Sequence, residues 1–138
     1  MKHIVTTAVA LLVVSSAAAF SQQSIGQQEY MNSCAQCHGV DGTGGGPMVG
    51  YLTGSMPDLT TLQSENDGVF PVTKVYSVID GTMAGGSHGS REMPIWGNRY
   101  RFKGAAAANP DFSTDEAETF TRFRILALTE YVSTLQQD

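Results

Sequence analysis

The 138-residue chain is short of cysteine, of positive charge and of long apolar runs. Its two cysteines, Cys34 and Cys37, allow at most one disulfide and exclude a scaffold stapled by several. Eight lysines and arginines face thirteen aspartates and glutamates, giving a formal net charge of −5. The densest basic stretch, "RYRFK" (Arg99, Arg101, Lys103), is short, isolated and interleaved with aromatics. Nucleic acids and anionic membrane surfaces reward clustered Lys and Arg, so neither is an expected partner. No internal repeat and no long linker divides the chain, and its length suits one domain.

The longest apolar stretch lies at the N-terminus. "MKH" is a short basic start, "IVTTAVALLVVSSAAAF" an apolar run, and Ala17, Ala18 and Ala19 a small-residue cleavage site. The run falls short of the roughly 20 residues that a spanning helix needs. The expectation is therefore a removable signal peptide over residues 1–19 and one domain over residues 20–138, exported to the periplasm with no stable membrane insertion after cleavage. Loss of Lys2 with the leader makes the remaining domain more acidic still.

Beyond the leader the patterning is helical. Ser24 caps a first helix running into the cysteines, with Ile25, Tyr30 and Met31 as its apolar members. Glycines from Gly39 to Gly54 forbid a regular element there. Pro57, Leu59 and Leu62 predict a short helix ending near Gly68. Val72, Val75, Tyr76, Val78 and Ile79 fall on one helical face between Pro71 and Gly81. The stretch from Thr82 to Pro110 reads as largely irregular. Ser113 and Glu116 form a capping box, after which Ala117, Thr121, Ile125, Leu128, Val132 and Leu135 recur down a long C-terminal helix. No strand is left over, so the expected fold class is all-α with long Gly-rich loops.

Both cysteines sit in "CAQCHGVDGTGGGP", with His38 directly after the second. A disulfide between Cys34 and Cys37 would close a tiny loop and constrain the unfolded chain little. A redox-active pair would want a strand before it, where a helix is expected. A structural zinc needs four protein ligands, and outside this motif residues 20–138 offer only His88 and no cysteine. The C-x-x-C-H order is instead the attachment signature of haem c: two thiols become thioethers and the imidazole becomes the proximal iron ligand. Close packing against a flat macrocycle gives the glycines a reason. A carbonyl near Pro47 would accept the other ring N–H of His38 and fix its tautomer.

The second axial position has several candidates. "SHGSREMPIWG" holds His88 and Met93, and Met48, Met56 and Met83 are further thioethers. Met93 is favoured by its setting: Pro94 stiffens the backbone after it, Trp96 is a large apolar wall, and Gly97 permits an exit turn. His88 in that place would make a bis-histidine couple, and no ligand there would leave the iron five-coordinate.

Taken together, "GQQEYMNSCAQCHG", "GTGGGP", "MPIWG" and "ILALTEYVSTLQ" resemble the class I c-type cytochromes, in particular small exported bacterial monohaem ones. The resemblance spans nearly all of the chain beyond the leader. It implies N- and C-terminal helices crossing beside one covalently bound haem, with Leu128 and Tyr131 meeting Gly26 and Tyr30. It also implies a Pro47 carbonyl on the His38 side and a distal Met93 sulfur. The expected role is single-electron transfer between redox partners, and no catalysis. An acidic surface predicts partners with basic docking faces. The rival expectations are an open or bis-histidine c-haem enzyme or sensor, acting on peroxide or a diatomic gas, and a haem subunit of a larger oxidoreductase. For Arg99, Tyr100 and Arg101 the simple expectation is a solvated basic turn, with propionate contacts as the alternative.

Overall fold

A computed structural model describes residues 23–83, 93–107 and 113–137, with only the backbone of 102–107. The expected leader, His88 and the segment 84–92 lie outside the described residues. Among the described residues five helices follow one another: α1 (Ile25–Ser33), α2 (Ala35–His38), α3 (Val72–Asp80), α4 (Trp96–Ala107) and α5 (Thr114–Thr134), with 3₁₀ turns at Val49–Tyr51 and Ser64–Asn66. Among the described residues there is no strand.

Helix α5 is the spine, packing against α1, α3 and α4. It starts on the expected capping box: the Ser113 hydroxyl accepts from the Glu116 N–H, and the Glu116 carboxylate accepts from the Ser113 N–H. Its buried face is Ala117, Thr121, Ile125, Leu128, Thr129 and Val132. The two buried threonines satisfy their hydroxyls internally, on the carbonyls of Ala117 and Ile125, both at 2.8 Å. Against this face lie Tyr30, Val75, Ile79, Trp96 and Tyr100, which complete the core.

The α1–α5 crossing depends on a missing side chain. A Cβ on Gly26 would stand 2.0 Å from the Ala127 carbonyl oxygen and 2.9 Å from the Tyr131 Cβ. Only glycine lets the two backbones meet at this distance. Beside it the Tyr30 and Tyr131 rings pack at 5.2 Å between centroids. The crossing expected from the resemblance is thus present, with Ala127 rather than Leu128 against Gly26.

Several expectations need correction. Ile25 and Met31 are exposed, and α1 buries Gly26 and Tyr30 instead. Val72, on the expected face of α3, is exposed too, although Pro71 and Gly81 bound that helix as anticipated. The segment after Pro57 is not an α-helix. Asp58 accepts from both the N–H (2.8 Å) and the hydroxyl (2.7 Å) of Thr60, a local bond that competes with helix, and Asp67 and Gly68 turn left-handed. Conversely, the expected irregular stretch contains α4. Gly97 is inside it rather than an exit turn, and Tyr100 is buried rather than part of a solvated turn.

Candidate functional site

Cys34 is the joint between two helices, ending α1 and preceding α2 with helical backbone angles of −110° and −40°. Its N–H donates to the Tyr30 carbonyl at 2.8 Å, while its own carbonyl accepts from His38 N–H at 2.9 Å. The motif therefore occupies a single helical turn that puts Cys34, Cys37 and His38 on a common side. Gly39 ends the turn at a φ of 80°, and its carbonyl accepts the buried Tyr30 hydroxyl at 2.8 Å.

The glycine-rich loop then folds back over α2. Gly44 N–H bonds the His38 carbonyl (2.8 Å), Gly46 N–H that of Cys37 (3.1 Å), and Met48 N–H that of Gln36 (2.9 Å). At Gly46 a Cβ would lie 2.4 Å from the Gln36 carbonyl oxygen, so a side chain there would lift the loop off the motif. Pro47 sits between two residues that are bonded to α2 in this way. The loop is fixed further out by the Leu59 N–H on the Gly42 carbonyl at 2.7 Å.

A cleft opens beside this turn, lined by Ser33, Cys34, Cys37, His38, Met56, Met93, Pro94 and Trp96. The four residues singled out in the sequence, Cys34, Cys37, His38 and Met93, thus share one wall-to-wall space. His38 is 5% exposed and Trp96 is equally buried, so the cleft is largely apolar. Among the methionines weighed as axial ligands, Met56 lines the cleft beside Met93, whereas Met48 is 43% exposed on the loop. Ser33 and Met56 carried no signal in the sequence beyond their residue type.

No disulfide joins the two cysteines. Burial pushes the Cys34 thiol up to about 12, and the carboxylate of Glu29 and the neighbouring Cys37 add to the rise. Cys34 is accordingly held as a neutral thiol at neutral pH. Glu29 itself is paired with Arg124 of α5, whose guanidinium also lies over the Phe120 ring at 4.8 Å.

Residues 23–136 match the Cytochrome c family. The chain belongs to the cytochrome c family. No curated protein and no solved structure matches it. Membership in the cytochrome c family implies covalently bound haem c with its iron and a part in haem-based electron transfer. The donor set fits such a group: two unbridged thiols on one helical turn, a buried imidazole directly after them, and thioethers across an apolar cleft. Among the described residues no helix is long and apolar enough to cross a membrane.

Proposed function

We propose that this cytochrome c is an exported single-electron carrier with one haem, held by Cys34 and Cys37 as thioethers and by His38 and Met93 as axial ligands. The observation that carries this reading is the convergence of those four side chains on one cleft. When bound, haem c supplies an iron that gains and loses one electron. The chain does the rest. Cys34 and Cys37 hold the group permanently, which a protein working outside the cytoplasm needs if it is not to lose its cofactor by dilution. His38 and Met93 would both hold the iron, which would leave no open coordination site for a substrate, and pairing a thioether with an imidazole would favour a relatively high potential. Pro94 and the buried Trp96 line the cleft next to Met93.

The acidic balance of the chain supports transient docking on redox partners with basic faces. The leader-like residues 1–19 support export to the periplasm.

Optical spectra test the ligand set, on protein produced in a host with haem-attachment machinery. The expected result is a low-spin spectrum in both oxidation states, with a weak far-red ferric band that disappears in Met93→Ala. A low-spin spectrum untouched by that substitution would move the ligand to Met56 or His88. A high-spin spectrum responding to carbon monoxide or peroxide would replace the carrier reading with an enzyme or sensor.

A further inference from the structure

Met93 stands three residues before α4, so whatever fixes the start of α4 also fixes Met93. That start is pressed against the end of α3. A Cβ on Gly97 would lie 2.3 Å from the Asp80 carboxylate oxygen Oδ1 and 2.6 Å from the Asp80 carbonyl oxygen. One residue further on, a Cβ on Gly81 would lie 2.4 Å from Ile95 Cγ2. Gly81 also takes the left-handed conformation, at a φ of 83°, that turns the chain out of α3. The end of α3 and the start of α4 are therefore clamped together, Gly97 against Asp80 and Gly81 against the Ile95 side chain.

Asp80 is the charged member of the clamp. Its side chain is 9% exposed and lies against the first turn of α4, where unbonded helix N–H groups favour a negative charge. Arg101, one turn along α4, reaches back to its Oδ1 at 3.4 Å. The carboxylate thus engages α4 both at its first turn and through Arg101. Arg101 is 44% exposed and lines an open groove of about 500 Å³ with Glu118 and Arg122, so its replacement leaves the core intact.

We infer that Asp80 is a positioning residue for Met93: by docking α4 onto α3 it holds the methionine sulfur in the cleft. This rests on the ligand set proposed above. It has no part in attaching the cofactor, since Cys34, Cys37 and His38 belong to a different wall, built on α1 and α2.

Imidazole is the probe, titrated into the ferric holoprotein, where it competes with the Met93 sulfur for the iron. Asp80→Asn should raise the apparent imidazole affinity about tenfold, the scale set by losing a charge-assisted contact. Met93→Ala should raise it further, and adding Asp80→Asn to Met93→Ala should change nothing more. Arg101→Gln, which spares the buried carboxylate, should act in the same direction and serves if Asp80→Asn does not fold. Equal effects with and without Met93, or no effect of Asp80→Asn and Arg101→Gln in folded protein, would overturn the positioning role while leaving the ligand set standing. A wild-type affinity already equal to that of Met93→Ala would overturn both.

Discussion

Tyr30 and Gly26 show how single atoms organise the end of the molecule that carries Cys34, Cys37 and His38. The Tyr30 hydroxyl is buried and donates to the carbonyl of Gly39, the residue following His38. Burial raises its pKa above the ordinary tyrosine range, so it is a donor at neutral pH. Tyr30→Phe should cost about 1 kcal/mol in denaturant unfolding, because the buried Gly39 carbonyl loses its shorter hydrogen bond and keeps only that from the Gly42 N–H at 3.4 Å. Gly26→Ala should cost more, about 1–3 kcal/mol, since the added methyl meets the Ala127 carbonyl and must push α1 and α5 away from each other. Met56 gives a third residue-scale expectation. Met56→Leu should leave the far-red band of the ferric protein in place, while Met93→Ala removes it; loss of the band in Met56→Leu would exchange the roles of the two thioethers. Much of this site was legible in the sequence. Cys34, Cys37 and His38 lie within five consecutive residues, and one helical turn suffices to bring them together. Met93 could be picked out because Pro94 and Trp96 made its surroundings distinctive. Met56 could not, because its position follows from the path of an irregular segment tied down by Leu59 on Gly42, and no spacing rule encodes that path.

The elements differ in how openly their sequences announce them. Helix α5 carries its own start signal and a long repeating face, so local and tertiary preferences agree. Helix α4 has neither: its sequence is "WGNRYRFKGAAA", with a glycine at the second position and arginines among aromatics. What fixes it is the burial of Trp96 and Tyr100, one turn apart, a tertiary reason that periodicity alone did not expose. The segment after Pro57 failed in the opposite sense, since Asp58 and the left-handed Asp67 build turns where apolar spacing favoured a helix. The capping box of α5 makes a pH-dependent expectation possible. Hydrogen bonds from the Ser113 backbone and hydroxyl hold the Glu116 carboxyl below its ordinary value of 4.5. A lowered pKa stabilises the fold above the unfolded-state value and ceases to do so as pH falls through the folded-state value. Glu116→Ala should therefore lower the melting temperature at neutral pH, and the gap to the wild type should narrow as pH falls below 4.5. Melting curves by circular dichroism at several pH values check this.

At the scale of the whole molecule, charge and covalent attachment are the measurable properties. With a net charge of −5, association with a basic redox partner should be fast at low salt and slow as ionic strength rises, because screening sets in over about 8 Å at 0.15 M. Stopped-flow rates against salt concentration read this directly, and a flat profile would argue for an apolar docking face. Acidified organic solvent should extract haem from a Cys34→Ala/Cys37→Ala variant and leave it on the wild type. The fold class was readable at this scale from helical patterning and the lack of strand signals. The clamp between α3 and α4 was not, because it depends on two glycines meeting a carboxylate and an isoleucine across a stretch of chain with little pattern of its own.

The side chain of Gln136 makes three bonds at the far end of α5: it accepts from Gln63 N–H and donates to the carbonyls of Leu59 and Val132, while Gln137 N–H bonds the Thr60 carbonyl. The bonds to Gln63, Leu59 and Thr60 join positions more than seventy residues apart, and the α1–α5 crossing spans a still longer stretch of chain. Contacts of such long range form late, because the intervening chain must be closed first. A chain emerging N-terminus first from a ribosome or a translocation channel presents Cys34 and Cys37 long before Gln136 arrives to latch the structure. Until then the two thiols have no α5 to pack beside, and they stay within reach of the machinery that acts on them. With the thioethers placed as proposed, order of emergence would let attachment precede folding.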